Sequence, residues 1–334
     1  MNNLLTDIPG VSVGHATDLV LGSGTTAILF DPPAVASVAV LGGAPGGRDT
    51  HMLEPDMTVD TVDAIVLSGG SAFGLDAAGG VQAMLREAGR GLSVGGLRIP
   101  IVSQVILFDL ANGGDKDWGR FSPYRDQGYA AALAAAPGPF GLGSVGAGTG
   151  ATTALVKGGL GSASMRTRAG HTVAAIVAVN AVGSPIIGDG PWFWAAPFEV
   201  NGEFGGRGFP VPLPPDAGVP RYKGGPAFTA FGTATTIGIV VTDAALTKSQ
   251  AKRLAIMAHN GLSRAIVPAH APMDGDTIFA AATGARPLRE PMAEITELGH
   301  AAAVTMSRAI ARGVYEATPL PVAGAQKSWR QRFG

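Results

Sequence analysis

Short hydrophobic runs alternate with stretches rich in glycine and proline along most of the chain, a pattern typical of buried strands joined by turns. Several of these runs are rich in valine and isoleucine, which favour strands. They predict strands at residues 11–15, 25–30, 35–41, 62–67, 100–110, 172–179, 237–241 and 278–282. Asp31-Pro32-Pro33 predicts a turn between the second and third strands, and residues 152–157 and 160–165 predict a hairpin around Gly158-Gly159.

Three segments have the spacing of amphipathic helices. The first covers about residues 72–88 and ends before Gly89, the second follows the capping box Thr247-Lys248-Ser249-Gln250, and the third covers residues 293–316. The second helix places five apolar side chains on one face, namely Ala251, Leu254, Ala255, Ala258 and Leu262. We interpret the polar stretch 112–129 as surface chain and the Pro- and Gly-rich stretch 188–229 as a partly ordered linker.

The composition argues against several classes of function. The chain has 334 residues, a formal net charge of −1, no cysteine, 46% hydrophobic residues and 15% charged residues. Without a basic excess we expect no nucleic-acid partner, and without a long apolar run we expect no membrane partner. No signal peptide is visible, so the expected location is the cytoplasm. The low charged fraction fits a homo-oligomer that buries part of its surface.

Two glycine-rich stretches lack the order that nucleotide binding requires. Residues 42–49 do not have the glycine, lysine and hydroxyl spacing of a phosphate-binding loop, and residues 143–150 do not have the dinucleotide fingerprint. We therefore expect no cofactor.

The turn at Gly69 and Gly70 joins a strand to a helix, and its N–H groups could face an anion or oxyanion. The alternative is an ordinary helix cap formed by Ser71.

Thr235 stands at the mouth of the β-branched strand 237–241. A buried strand would hold this threonine rigidly and aim its hydroxyl. A hydroxyl needs a base to act as a nucleophile, and the α-amine of the same residue can be that base once the preceding peptide bond is cut. Its pKa of roughly 7.7–8.0 suits the task. From this stretch alone, the favoured interpretation is that Thr235 and Thr236 are ordinary strand residues, as most threonines in such runs are.

Four other polar residues are candidates for chemistry. Asn180 ends a strand and is either a turn residue or a donor to an oxyanion. Lys157 lies at the end of an apolar run, where a lysine usually faces solvent. Asp274 and Asp276 flank one glycine just before a strand. They are either a turn or a pair that receives an amine and positions a hydroxyl, and a cation site would need more oxygen ligands.

The most specific stretches are residues 69–76, Lys157-Gly158-Gly159, residues 234–243 and residues 268–277. Taken together, they resemble the DmpA-type family of L-aminopeptidase/D-esterase-amidases, β-aminopeptidases and nylon 6-aminohexanoate-oligomer hydrolases. The resemblance covers nearly the whole chain. It implies a single α/β domain over residues 1–334, built as a four-layer αββα sandwich with the architecture of Ntn hydrolases. It also implies a homotetramer.

The resemblance implies a precursor that cuts itself before its nucleophile. Thr235 matches that nucleophile, so the expected fragments are 1–234 and 235–334. The Thr235 hydroxyl would attack the Ala234 carbonyl, water would open the resulting ester, and the freed amine would then be the base. Many members carry Asn or Gly at the position of Ala234, but the attack is on a backbone carbonyl and tolerates alanine.

The resemblance also implies roles for the other candidates. Asn180 matches the asparagine that stabilises the oxyanion, and Lys157 matches a lysine near the nucleophile. Asp274 and Asp276 match the acidic pair of the nylon-hydrolase branch, and we expect cations nearby to keep both pKa values low. The resemblance implies no cofactor and no metal.

The resemblance places two further residues at the substrate. Phe73 stands where several members carry a tyrosine that contacts the oxyanion, and Phe73 and Gly74 are expected to line the substrate site. The function implied is an N-terminal-threonine amide hydrolase acting on small peptides or amides. Two alternatives are acyl transfer, as in ornithine acetyltransferases, and an uncut ligand-binding or scaffold protein.

Overall fold

The computed structural model describes residues 1–225 and 234–334. Its strands are β1 (Val11–Asp18), β2 (Ser23–Val40), β3 (Gly47–Arg48), β4 (Thr61–Ser68), β5 (Leu92–Val94), β6 (Leu97–Ile99), β7 (Val102–Ile106), β8 (Gly159–Arg166), β9 (Thr172–Asn180), β10 (Thr235–Ala244) and β11 (Thr277–Arg286). Its α-helices are α1 (Ala77–Glu87), α2 (Tyr124–Leu133), α3 (Lys248–Ala258), α4 (Asn260–Ala265), α5 (Pro291–Tyr315) and α6 (Trp329–Phe333). Gly232 and Thr233, just before the specific stretch 234–243, and residues 226–229 at the end of the predicted linker 188–229 lie outside the described residues.

One long strand connects the two halves of the sheet. The strand order is β3-β7-β4-β2-β11-β10-β9-β8, and β1 also pairs with β2. The first half of β2 pairs with β1 and β4, and its second half pairs with β11. The predicted turn at Asp31-Pro32-Pro33 is therefore wrong. The chain continues as a strand there, and these three exposed residues mark an irregularity in the pairing with β4.

Three hydrophobic clusters among the described residues define the layers. The first lies between β8–β11 and helices α3, α4 and α5, the second lies between the two halves of the sheet, and the third lies between β2, β4 and helices α1 and α2. Strand β9 contributes Val177 to the first cluster and its neighbour Ile176 to the second. Helix, sheet, sheet and helix thus form four layers, which confirms the αββα sandwich.

Three further predictions of local structure need correction. Helix α2 begins within the stretch 112–129 that was predicted as surface chain. The first arm of the predicted hairpin is not a strand, because residues 152–157 form only an isolated bridge between Thr152 and Lys157. The helix predicted over about residues 72–88 begins as a 3-10 turn at Ser71–Asp76 before α1. The capping box before α3 is confirmed. Among the described helices, none is long and apolar enough to cross a membrane.

Lys248 anchors the loop after residue 51, and its replacement should cost stability. Its buried Nζ donates to the carbonyl oxygens of Met52 (2.9 Å), Met57 (2.9 Å) and Val59 (2.8 Å). In Lys248→Met these buried carbonyls lose a charged donor, so the free energy of unfolding should fall by about 3 kcal/mol. Urea denaturation measures the change. The control is Lys252→Met, one turn along the same helix, which removes a partly exposed ion pair to Glu54 worth about 0–1 kcal/mol. Equal losses in the two variants would contradict this role.

Candidate active site

The sheet places Thr235 between the other candidate groups. Strand β10 lies between β9 and β11. Thr235 is opposite Asn180 in the antiparallel pairing with β9, and Ile237 is opposite Thr277 in the parallel pairing with β11. The residues just before β11 therefore lie beside the start of β10, and a parallel bridge joins Ala234 to Asp274. A parallel register brings together groups that are far apart in the sequence.

The hydroxyl of Thr235 is in contact with the peptide group before it. The side-chain Oγ1 donates a hydrogen bond to the Ala234 carbonyl oxygen. The same oxygen accepts the N–H of Gly275 at 3.1 Å. Both Ala234 (1% exposed) and Thr235 (4% exposed) are buried, so bulk water has little access to this carbonyl. A hydroxyl oxygen, a carbonyl and a backbone donor thus meet at one point.

The two carboxylates before β11 are buried and accept backbone hydrogen bonds. Asp276 accepts the N–H groups of Thr236 (2.7 Å) and His270 (3.0 Å). Asp274 accepts the N–H groups of Ala271 (3.1 Å) and Val182 (3.3 Å). Burial, together with the charge of Asp276, raises the pKa of Asp274 to about 7. The prediction of a low pKa is therefore wrong for Asp274, because loss of hydration outweighs the nearby cation of Lys223.

The side chain of Asn180 is held by groups on three other segments. Its Oδ1 accepts the N–H of Thr152 at 3.0 Å and the Nζ of Lys223 at 2.8 Å. Its Nδ2 donates to the carbonyl oxygen of Phe108 at 2.9 Å. These bonds fix the amide at the end of β9, beside Thr235. The amide is thus a fixed, buried polar group on the residue that pairs with the first residue of the central strand.

Lys157 is fully buried, so the expectation that a lysine at this position faces solvent is wrong. Its Nζ donates to the carbonyl oxygens of Gly148 (3.1 Å) and Gly158 (3.0 Å). Burial lowers the pKa of Lys157 to about 7, an effect opposed by the charge of Asp109. Lys157 pairs with Thr152, whose N–H binds Asn180, so one residue separates the lysine from the asparagine.

Two cavities open beside this group of residues. One has a volume of about 250 Å³ and is lined by Phe108, Asp109 and Lys223, among others. The other has a volume of about 320 Å³, and Lys157 and Gln326 contribute to its wall. Both are bordered by Ala111, Asn112 and Thr152, so they adjoin each other at the segment that binds Asn180. Their size suits small molecules rather than folded proteins.

Two residues of the site were missed by the sequence analysis. Lys223 contacts Asn180, and burial lowers its pKa to about 7 although Asp274 opposes the shift. His270 contacts Asp276 through Nδ1 at 2.9 Å, and this bond raises the pKa of His270 despite burial. Lys223 lies in a Pro- and Gly-rich stretch that offers no pattern. His270 could have been found from the sequence, because it falls within the specific stretch 268–277.

Phe73 and Gly74 lie in the turn between β4 and α1. The Phe73 ring is 53% exposed and packs edge-to-face on Trp118 at 5.4 Å. In the same turn, the N–H of Gly70 donates to the carboxyl group of Asp109 at 2.8 Å, so an internal acceptor already occupies that donor. Ser71 makes no side-chain cap there. Described hydrogen bonds and ring contacts do not join Phe73 to Thr235, and its substrate role stays a prediction.

Comparisons with known proteins give a consistent result. The profile of peptidase family S58 matches residues 3–328. An uncharacterised aminopeptidase of Mycobacterium tuberculosis is 40% identical over 336 residues, covering 95% of each chain. A 6-aminohexanoate-oligomer endohydrolase of Paenarthrobacter ureafaciens is 31% identical over 287 residues, covering 83% of this chain and 74% of that protein.

Solved structures share the fold. A β-aminopeptidase of Burkholderia sp. has a TM-score of 0.72 and 24% identity, covering 99% of this chain and 92% of that one. The L-aminopeptidase D-Ala-esterase/amidase of Ochrobactrum anthropi, described as a variant of the Ntn hydrolase fold, has a TM-score of 0.69 and 20% identity over the same shares. At these identities the likeness concerns the fold.

Proposed function

The chain belongs to peptidase family S58 and is a hydrolase of peptide or amide bonds, and we propose that it cuts itself between Ala234 and Thr235. In this proposal the two fragments, 1–234 and 235–334, remain one folded unit, because Thr235 opens a strand in the middle of the sheet. Thr235 is then the N-terminal nucleophile of the mature enzyme. The observation that carries the proposal is the contact between the Thr235 hydroxyl and the Ala234 carbonyl.

The cut proceeds in two steps that balance in atoms and protons. The Thr235 Oγ1 adds to the Ala234 carbonyl carbon, the C–N bond breaks, and the Thr235 nitrogen takes up the hydroxyl proton. The product is an ester, which water hydrolyses to the Ala234 carboxylate and the free hydroxyl. The new α-amine has a pKa of roughly 7.7–8.0 and acts as the base for attack on a substrate.

The surrounding residues have distinct roles in the mature enzyme. Asn180, opposite Thr235, is proposed to donate to the substrate oxyanion. Lys157, which a pKa of about 7 leaves partly charged at neutral pH, is proposed to favour the neutral form of the new amine when it carries its charge. Asp274 is proposed to receive the amine of the substrate, and Asp276 to hold the backbone of the residue after the nucleophile through the Thr236 N–H.

The proposed substrates are small amides or peptides that carry a free amine. Three features support this class: the buried carboxylates, the size of the adjoining cavities, and relatives whose names specify aminopeptidases and a 6-aminohexanoate-oligomer endohydrolase. The low fraction of charged residues also supports a homo-oligomer of processed units, which we place in the cytoplasm.

The position of the cut is directly measurable. Purified protein should contain two fragments, and N-terminal sequencing of the smaller should read Thr-Thr-Ile-Gly. Intact mass before and after long incubation follows the conversion. A single chain of 33.6 kDa after incubation, or a fragment that begins at another residue, would contradict the proposal.

The need for a substrate amine is tested with matched substrates. A screen of β-alanyl, α-aminoacyl and 6-aminohexanoyl anilides identifies the preferred acyl group. The control is the same anilide with its amine acetylated. A hydrogen bond to a charged group contributes about 1.5–3 kcal/mol, so acetylation should lower kcat/KM by about 10- to 100-fold. Equal rates for the free and acetylated forms would contradict recognition of the amine.

A further inference from the structure

We infer that the backbone N–H of Gly275 stabilises the oxyanion that forms on the Ala234 carbonyl during self-cleavage. This inference rests on the proposed cut between Ala234 and Thr235. It concerns a different carbonyl from that of the substrate, for which the donor is proposed to be Asn180.

The geometry places the donor at the reacting atom. The Ala234 carbonyl oxygen has two donors among the described residues, the Thr235 hydroxyl and the Gly275 N–H at 3.1 Å. The hydroxyl is the attacking group, so it cannot remain a donor while it forms the C–O bond. Negative charge then develops on the carbonyl oxygen, and the Gly275 N–H already faces it. A donor at about 2.7–3.1 Å is within the range that oxyanion stabilisation requires.

The N–H is held in place before the reaction begins. On one side of it, the Asp274 carboxylate accepts two backbone N–H groups, and the Asp274 carbonyl accepts the N–H of Ala44 at 2.8 Å. On the other side, the Asp276 carboxylate accepts the N–H of Thr236. These contacts tie the segment to the glycine-rich loop after β2 and to β10. A fixed donor needs no reorganisation at the moment of reaction, which makes its contribution large.

The residue type at this position follows from the space available. A Cβ at position 275 would lie 2.8 Å from the Thr235 Oγ1 and 2.9 Å from the Ala44 carbonyl oxygen. Glycine therefore lets the backbone donor and the nucleophile share one pocket around the scissile peptide. A side chain there would push against the attacking oxygen itself. The turn reading of Asp274-Gly275-Asp276 does not account for this close approach.

The donor acts in both steps of the cut. When Oγ1 adds to the Ala234 carbon, the carbonyl π electrons move to oxygen, and they return as the C–N bond breaks. When water adds to the ester, the same oxygen again carries the charge until the C–Oγ1 bond breaks. The Gly275 N–H faces this oxygen in each tetrahedral intermediate, and no other reactant than water is needed.

The test removes the N–H without adding a side chain. Cell-free translation with glycolic acid in place of Gly275 replaces the amide by an ester, and a pulse label follows conversion of the full chain to fragments. Loss of one oxyanion donor costs about 100-fold in rate or more, so self-cleavage should slow by about 100-fold. The ester also weakens the Asp274 carbonyl as an acceptor for Ala44. The matched control therefore replaces Ala44 by lactic acid, which removes that bond alone.

Each outcome decides between alternatives. A Gly275 ester that is slowed about tenfold or more beyond the Ala44 ester supports the inference, because the Ala44 bond helps to hold the donor but does not provide it. Wild-type cleavage in the Gly275 ester, or equal slowing of both esters, overturns it and leaves the proposed function intact. A wild-type chain that is never cut overturns the proposed function itself. Each ester is also placed in a Thr235→Ala chain, and its melting temperature is compared with that of Thr235→Ala alone. A lower melting temperature would show that cleavage slows because the fold is lost, and this outcome would also overturn the inference.

Discussion

Replacing Thr235 with alanine is expected to leave the chain uncut and without hydrolytic activity. Alanine has no Oγ, so neither the Ala234 carbonyl nor a substrate meets a nucleophile. Thr235→Ser keeps the hydroxyl but loses the methyl group that restricts χ1, so both reactions should continue at reduced rates. The measurements are the time course of fragment formation by intact mass and the hydrolysis of an amine-bearing anilide. Melting temperatures should show that both variants are folded.

The neighbouring threonine provides the control. The Thr236 hydroxyl is buried and has no hydrogen-bond partner among the described residues, and on a strand its side chain points to the opposite face. Thr236→Val keeps the branched shape and the backbone N–H that Asp276 accepts. It should therefore be cut and active at close to wild-type rates. An inactive Thr236→Val beside an active Thr235→Ala would place the nucleophile one residue later than proposed.

The central strand could be predicted because its residues carry their own signal. The β-branched run 237–241 is continuous, since β10 is buried on both faces: Val240 contributes to the helix-facing cluster and Ile239 to the cluster between the sheets. Local periodicity also predicted helix α5, and a local sequence motif predicted the capping box of α3. In these elements, local preference and tertiary packing favour the same structure.

Helix α2 could not be predicted because it packs through small residues. A Cβ on Gly128 would lie 2.0 Å from the carbonyl oxygen of Ala77, so α2 approaches α1 at the backbone and leaves no stripe of large apolar side chains. The prediction of a turn at residues 31–33 was wrong because tertiary pairing overrides a local signal. Its local signal is strong, but the two halves of β2 pair with different strands and tertiary pairing keeps the chain extended.

The chemistry of the site depends on contacts that no local pattern encodes. Asp274 and Asp276 reach Thr235 through the parallel register of β10 and β11, across about forty residues of sequence. The burial of Lys157 depends on carbonyl groups of two glycines, and that of Lys223 on Asn180. Most of these residues were therefore predicted from the sequence only through family resemblance. Their ionisation followed only from the fold.

Asp274 is expected to make stability depend on pH. Burial and the charge of Asp276 raise its folded pKa from 3.8 to about 7, so folding favours the protonated form. The stabilisation is complete below about pH 4 and is lost as the pH rises towards 7. Asp274→Asn has no group that titrates there. The free energy of unfolding of this variant, relative to wild type, should therefore improve as the pH is raised from 4 to 7.5, as measured by urea denaturation. A difference that is constant across this range would contradict the raised pKa.

Asp276→Asn should lower both turnover and stability. Each Asp276 oxygen accepts a backbone N–H, one from Thr236 and one from His270. Asparagine has one acceptor oxygen and an NH₂ group, so one of these N–H groups would face another donor. The unfolding free energy should fall by about 1–3 kcal/mol. Turnover should fall by about 100-fold, because the residue after the nucleophile is no longer held in place.

The Asp276→Asn variant, together with chelation of the wild type, distinguishes a carboxylate that positions the backbone from one that binds a metal. Turnover of Asp276→Asn and wild type is compared at a temperature where urea curves show both to be folded, so the loss of stability does not enter the rates. Wild-type activity should be unchanged by exhaustive EDTA treatment. Activity that disappears with chelator and returns with a divalent ion would show that the pair binds a metal. Full turnover in Asp276→Asn would show that the backbone of Thr236 is positioned without the charge of Asp276. Asp276 would then have no role in the mechanism.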